Sequence, residues 1–243
     1  MDEKFIRTMM IYGEDAISLL KNKKVAIFGI GGVGGYVTEA LARSGIGKFV
    51  LVDNDVVSLS NINRQIIATL DTVGQYKVDV MKKRILSIND EAQIEVKKCF
   101  FLDNEENFDF SSYDYIIDAI DTVSAKIKLA EIATRLNIPL ISSMGTGNKI
   151  NPMGFIITDI NKTEMDPLAK VMRYELRKRG ISKLKVCYSK EKPLVPLIKE
   201  VNEKTNKVTP GSSAFVPSSA GLLIASEVIK DLTLDYLREE LKR

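Results

Sequence analysis

Histidine is absent from all 243 positions of this chain. That removes imidazole both as a general base and as a metal ligand, leaving carboxylates, Lys, Arg, backbone amides and the substrates themselves to carry any chemistry. Cysteine occurs only at Cys99 and Cys187, far apart and outside any Cys-x-x-Cys pair, so neither a disulfide framework nor a structural zinc site is indicated. Both read as small buried residues. No apolar run reaches the ~20 residues that a membrane span requires, and no N-terminal stretch has the basic, apolar and small-residue succession of a signal peptide. These absences predict a cytoplasmic protein with no membrane partner.

What is present is ordinary for a globular chain, 45% hydrophobic and 28% charged, and the length is enough to bury one α/β core. Strand patterns at 25–28, 49–52, 94–96, 115–117 and 140–142 alternate with helical patterns at 33–44, 77–88 and 124–137, after an amphipathic opening segment over 5–20. The alternation predicts an α/β fold, a Rossmann-like, doubly wound and mostly parallel sheet with ligands at the carboxyl ends of its strands. After Pro152 the rhythm changes to a strand at 155–158, a helix at 167–179 with proline in its first turn, a strand at 184–188 and a final apolar helix at 219–232, expected as a C-terminal antiparallel extension. One domain is expected over 1–243, with a nucleotide-binding core over 1–150 and an elaboration over 151–243. The proline-rich connection 191–218 is long enough to suggest a functional loop. The net charge is only +3, yet residues 162–207 carry 13 Lys or Arg against 6 Asp or Glu, so the remainder is acidic on balance.

The first strand runs straight into Gly29-x-Gly31-Gly32-x-Gly34 and a helix, and Asp53 follows the second strand. Glycines let the backbone turn and approach a phosphate, the helix N-terminus offers unpaired N–H groups, and an acid after the second strand suits ribose hydroxyls. The alternative is that the glycines serve only helix-to-strand packing. Asp55 and the run Asn61-Ile62-Asn63-Arg64-Gln65 come next, then Lys77 at the start of a helix. Arg64 and Lys77 could clamp a triphosphate whose charge must be neutralised before an anion reaches its α-phosphorus. The fourth strand ends in Asp118-Ala119-Ile120-Asp121, where two carboxylates could hold Mg2+ against phosphate oxygens, or Asp118 could cap the loop. A nicotinamide oxidoreductase would also use Asp53, but Arg64, Lys77 and Asp121 argue against it.

In order and spacing these motifs resemble the adenylating domain of the ubiquitin-activating-enzyme-like superfamily that includes ThiF, MoeB and HesA. The resemblance implies ATP and Mg2+, attack of a substrate carboxylate on the α-phosphorus, an acyl adenylate and release of pyrophosphate. It places Gly29, Gly31, Gly32, Gly34, Asp53, Asp55, Asn61 and Gln65 around the nucleotide, gives Arg64 and Lys77 to the phosphates, and gives Asp121 to the metal. Arg7 looks like an N-terminal arginine that reaches into a partner subunit's site, which would make a homodimer the catalytic unit; the alternative is a solvated helix residue.

Further segments, namely Ala40-Leu41-Ala42-Arg43-Ser44-Gly45-Ile46-Gly47, Ile138-Pro139-Leu140, Thr158-Asp159-Ile160-x-Lys162-Thr163 and Asp166-Pro167-Leu168-Ala169, are similar to the tRNA threonylcarbamoyladenosine dehydratase family over nearly the whole chain. That similarity implies ATP-dependent cyclisation of the modified adenosine beside the anticodon, with tRNA as partner. The alternative keeps the adenylation and makes the acceptor the C-terminus of a ubiquitin-like sulfur-carrier protein, with a sulfur-transfer protein as partner. Lys170, Arg173 and Arg177 fall on one face of the helix at 167–179 and could engage RNA phosphates, or could be a solvated face.

Overall fold

A computed structural model describes residues 2–202 and 207–236; positions 1, 203–206 and 237–243 of the expected domain, and thereby part of the 191–218 connection, lie outside the described residues. In chain order the elements are α1 (Ile6–Tyr12), α2 (Glu14–Asn22), β1 (Lys24–Phe28), α3 (Gly34–Arg43), β2 (Lys48–Val52), α4 (Lys77–Ile88), β3 (Gln93–Lys97), β4 (Tyr115–Asp118), α5 (Val123–Leu136), β5 (Leu140–Ser143), β6 (Phe155–Asp159), α6 (Pro167–Lys178), β7 (Lys185–Ser189), the short pair β8 (Val201–Asn202) and β9 (Lys207–Val208), and α7 (Phe215–Leu232), with short 3-10 turns between.

The large sheet has the order β3-β2-β1-β4-β5-β7-β6. Its neighbours are parallel except β6, which runs antiparallel to β7, as expected for the extension. β1, β2 and β4 are nearly continuous apolar runs because helices cover both of their faces. Their residues alternate between two cores. Val25, Ile27, Phe49, Leu51, Tyr115 and Ile117 pack with Val37 and Leu41 of α3 and with Val216, Ile224 and Val228 of α7. Ala26, Phe28, Val50, Val52 and Ile116 face Leu129 and Ile132 of α5 and an aromatic knot of Phe101, Phe108, Phe110 and Tyr113. Phe28 stands at its centre, 5.2 Å from the Phe101 ring and 5.6 Å from Phe108, and truncating it to Ala would cost about 3–5 kcal/mol. The chain runs outward through β1, β2 and β3, then returns to place β4 on the other side of β1. The crevice for a ligand therefore opens above the carboxyl ends of β1 and β4.

Two elements depart from expectation. The opening segment is two helices, because Gly13 at φ +90° breaks the ladder between them. The last helix begins at Phe215, not 219, with Pro217 inside its first turn; N–H groups there have no intrahelical acceptor, so proline costs nothing at that position.

Candidate active site

The glycine turn divides into residues that packing requires and one that it does not. A Cβ on Gly29, whose φ is +91°, would lie 2.6 Å from the Ala119 carbonyl oxygen, and one on Gly34 would lie 1.8 Å from the Gly29 carbonyl oxygen. A Cβ on Gly32 would press on Pro217 at 3.2 Å. Gly31 is different: its Cβ would meet nothing nearer than Gln65 Nε2 at 3.9 Å. Close approach of backbone to backbone accounts for Gly29 and Gly34, and the space beside Gly31 is left over for a ligand. The N-terminus of α3 has no side-chain cap; the Gly35 N–H donates to the Gly31 carbonyl at 2.9 Å, which leaves the N–H groups ahead of it in the turn for a ligand.

Asp53 is held from two sides, Oδ2 accepting from the Ile30 N–H at 2.7 Å and Oδ1 from the Asp55 N–H at 2.8 Å. Burial pushes its carboxyl above the usual range, against the Lys77 charge and these two bonds. Each oxygen keeps a lone pair for a ribose hydroxyl. Lys77 is buried, with Nζ 2.7 Å from Asp55 Oδ2, so Asp55 orients Lys77 in this structure. Asn61 is also buried; its Oδ1 accepts from the Ser58 N–H at 3.2 Å and caps the turn that carries Arg64.

Arg64 is half-buried and makes no ion pair among the described residues. One Nη donates to the Ser60 carbonyl at 2.7 Å and to Asn63 Oδ1 at 2.9 Å, and burial pulls its pKa down. Its Cγ lies 3.5 Å from the position of a Gly32 Cβ. Gln65 is 6% exposed and its Oε1 has no hydrogen-bond partner among the described residues. A desolvated cation with no counter-ion among the described residues, beside Gly32, fits an anionic ligand such as the phosphate chain of ATP, and the unpaired Gln65 Oε1, an acceptor, leaves room for a donor such as a water or a hydroxyl.

Of the two carboxylates at the end of β4 and just beyond it, Asp118 and Asp121, the second faces outward, its side chain accepting from Thr122 Oγ1 at 3.4 Å. An exposed carboxylate with no protein cation among the described residues suits a hydrated Mg2+. Asp118 is buried and fully engaged, by Lys126 Nζ at 3.1 Å to each oxygen, by the Ser142 hydroxyl and by the Ile120 N–H at 3.2 Å. It holds the turn and is closed to a metal.

Other expected residues are spread more widely. Arg7 lies exposed on α1, a helix with no buried residue that also exposes Met10 and Ile11. On α6, Lys170 and Arg177 point outward without ion pairs among the described residues, whereas an Nη of Arg173 turns in and donates to the Thr163 carbonyl at 2.9 Å and to its hydroxyl. Cys187 is buried in β7 and burial pushes its thiol up to about 12, which disqualifies it as a thioester nucleophile. Burial also raises the thiol of Cys99, half-buried beside the aromatic knot.

Nothing in the sequence singles out Lys126 or Asn148, and Asn63, part of the polar run, does what the run does not show: it donates to the Ser212 carbonyl at 3.1 Å, tying the segment before α7 to the Arg64 turn. Asn148, at φ +58°, exchanges hydrogen bonds with Gly211 at 2.7 and 2.8 Å and accepts from the Leu194 N–H at 2.7 Å. The Gly147-Asn148 pair signals a left-handed turn; nothing local signals its distant partners.

The sequence profile of the ThiF family matches residues 5–242. The tRNA threonylcarbamoyladenosine dehydratase of Bacillus subtilis is 46% identical, covering 100% of this chain and 98% of its own. The Escherichia coli tRNA N6-threonylcarbamoyladenosine dehydratase TcdA, solved with AMP and with ATP, superposes with TM-scores of 0.87 and 0.86 at 35% and 34% identity, covering 96% of this chain and 95% of that one. The adenylyltransferase and sulfurtransferase UBA4 of Saccharomyces cerevisiae is 34% identical over only 54% of this chain and 30% of its own.

Proposed function

The chain belongs to the ThiF family, and on that premise we propose that it catalyses the ATP-dependent dehydration of threonylcarbamoyladenosine in tRNA. The reading is supported by a glycine-turn crevice in which Arg64 has no counter-ion among the described residues, in a chain similar along its full length to a tRNA-modifying dehydratase.

The substrate's own carboxylate attacks the α-phosphorus of ATP, the bond to the bridging oxygen breaks, and pyrophosphate leaves. Asp53 takes the ribose hydroxyls, the Gly31 backbone and the α3 N-terminus take phosphate oxygens, and Arg64 and Lys77 neutralise the charge that would repel an incoming carboxylate. Mg2+, bound by Asp121, would supply further charge neutralisation. An internal nitrogen of the modified adenosine then attacks the activated carbonyl, loses its proton, and expels AMP as the ring closes. That step is intramolecular, with an effective molarity on the order of 10^5–10^8 M, so it needs neither histidine nor a cysteine nucleophile.

The whole chain then acts as one adenylating domain, with its nucleotide core over 1–150. Arg7 completes the site of a second copy in a homodimer; its exposure on an unburied helix supports this. Lys170 and Arg177 contact tRNA phosphates. A tRNA substrate argues for the cytoplasm, and no helix among the described residues is long and apolar enough to cross a membrane. No observation favours a sulfur-carrier acceptor or a sulfur-transfer partner.

The test is to incubate the purified protein with ATP, Mg2+ and tRNA bearing threonylcarbamoyladenosine, digest the RNA mildly and weigh its nucleosides. ATP-dependent loss of one water mass is expected. An unchanged nucleoside from a protein that binds ATP would overturn the proposal.

A further inference from the structure

Three chain segments end together beneath the ligand crevice, and one buried amine joins them. Lys126 lies in the first turns of α5 at 1% exposure. Its three N–H donors are shared among four acceptors, the two Asp118 oxygens at 3.1 Å, the Ser143 carbonyl at 2.8 Å and Ser142 Oγ at 3.3 Å. The Ser142 hydroxyl in turn donates to Asp118 Oδ2 at 2.5 Å. The last residue of β4 and its registered neighbour on β5, Asp118 and Ser142, are thus locked to α5 with every charged atom satisfied.

The lock bears on the turn above it. Asp118 Oδ1 accepts from the Ile120 N–H, the Ala119 N–H donates to the Phe28 carbonyl at 2.8 Å, and Gly29 leaves no room between itself and the Ala119 carbonyl. The turn 119–121 is therefore clamped from below by Asp118 and from the side by the glycine turn. Among the described residues the Asp121 side chain has only the 3.4 Å contact with the Thr122 hydroxyl, so its carboxylate goes where the turn puts it. On the other side, the Ser143 carbonyl anchors the start of the strap 144–148, which ends in the Asn148 contacts to 194 and 211. A buried ion pair is a poor way to gain stability, since an apolar pair of like volume generally does as well or better. What it provides is direction, through three N–H donors aimed at fixed acceptors.

We propose that Lys126 is a positioning residue for the reaction: through Asp118 and the Ser143 carbonyl it fixes the Asp121 turn, and with it the metal-binding carboxylate, against the glycine turn that receives the phosphates. The inference rests on the reading of this crevice as an ATP and Mg2+ site.

The experiment separates positioning from charge neutralisation. Lys126→Met strands the Asp118 charge and lowers the melting temperature. Adding Asp118→Asn removes that charge while keeping an acceptor for the Ile120 N–H. If Lys126 only neutralises Asp118, the double variant regains both stability and function. If it positions the turn, the double variant regains its melting temperature, yet calorimetry shows ATP bound about tenfold more weakly in the presence of Mg2+. Without Mg2+ its ATP affinity stays near wild type. Turnover of tRNA falls by a similar factor through kcat. A thermally restored double variant with wild-type affinity for ATP and Mg2+ overturns the proposal. Should the double variant not fold, Ser142→Ala, which removes only the hydroxyl bridge, is expected to weaken the Mg2+-dependent part of ATP binding, and no change there also overturns it. The calorimetry uses no RNA, so a wild-type protein that binds ATP with Mg2+ but leaves tRNA unaltered defeats the dehydratase reading alone.

Discussion

Replacing Gly31 and Gly34 by alanine, one at a time, should produce opposite phenotypes from the same added methyl group. At Gly34 the methyl carbon would sit 1.8 Å from the Gly29 carbonyl oxygen, an overlap that only backbone movement relieves. Overpacking of this kind costs about 1–3 kcal/mol, or very roughly 2–10 °C in melting temperature for a chain of this size. At Gly31 the nearest atom is a side-chain nitrogen at 3.9 Å, and no left-handed φ is required. Stability should therefore stay level or rise by about 0.4–1 kcal/mol, because alanine narrows the unfolded ensemble. The loss at Gly31 appears when ATP binds. A phosphate oxygen accepting from backbone N–H groups must come within about 3 Å of nitrogen, and a methyl beside the path holds it off. Two charge-assisted hydrogen bonds, each about 1.5–3 kcal/mol, correspond to a fall in affinity on the order of 10^2-fold or more. Denaturant melts and calorimetric ATP titrations measure both quantities on each variant. Gly31→Ala binding ATP with wild-type affinity would refute the argument, since the gap beside it would then be idle space.

Arg7→Ala and Asp121→Ala should each abolish turnover with little change in melting temperature. Mixed and allowed to exchange subunits, they should recover about a quarter of wild-type activity, because half the dimers would be hybrids with one intact site; no recovery at any ratio contradicts action in trans. Reversing Lys170 and Arg177 to Glu should weaken tRNA binding and reduce its slope against log salt by at least about 1.4. Arg173→Ala should instead lower the melting temperature and leave that slope alone, and the reverse pattern would refute the assignment of the two faces. Cys187→Ala should keep ATP-dependent turnover; its loss in a variant that melts normally would contradict the inert role given to this thiol.

The parts of this molecule that could be read in advance are those whose cause is local. A buried strand such as β1 announces itself as an apolar run, and a glycine turn as a spacing of glycines, because partners beyond a few residues do not decide either. Gly13 also carried its signal, an unfavourable residue inside a helical pattern, but the apolar spacing on both sides of it concealed two helices as one. The first turn of α7 was hidden by Pro217, which usually marks the end of a helix and here sits where an N–H is dispensable. Asp118 and Asp121 look alike in sequence. They are told apart by a lysine eight residues along the chain from the first, a serine on the next strand, and a fold that brings both to one carboxylate. Helical periodicity groups Arg173 with Lys170 and Arg177, and only the docking of the chain at Thr163 shows that its guanidinium faces inward.

Asn63 and Asn148 fasten the connection between β7 and α7 at its two roots, one to the arginine turn and one to the strap that follows β5. Between those fastenings, Val195, Leu197 and Ile198 are largely exposed. The molecule is therefore built like a tool with a fixed handle and an exchangeable bit. Grafting a different sequence between 195 and 201 should leave ATP bound at the wild-type strength, since neither fastening is touched, and the segment can change without disturbing the nucleotide site.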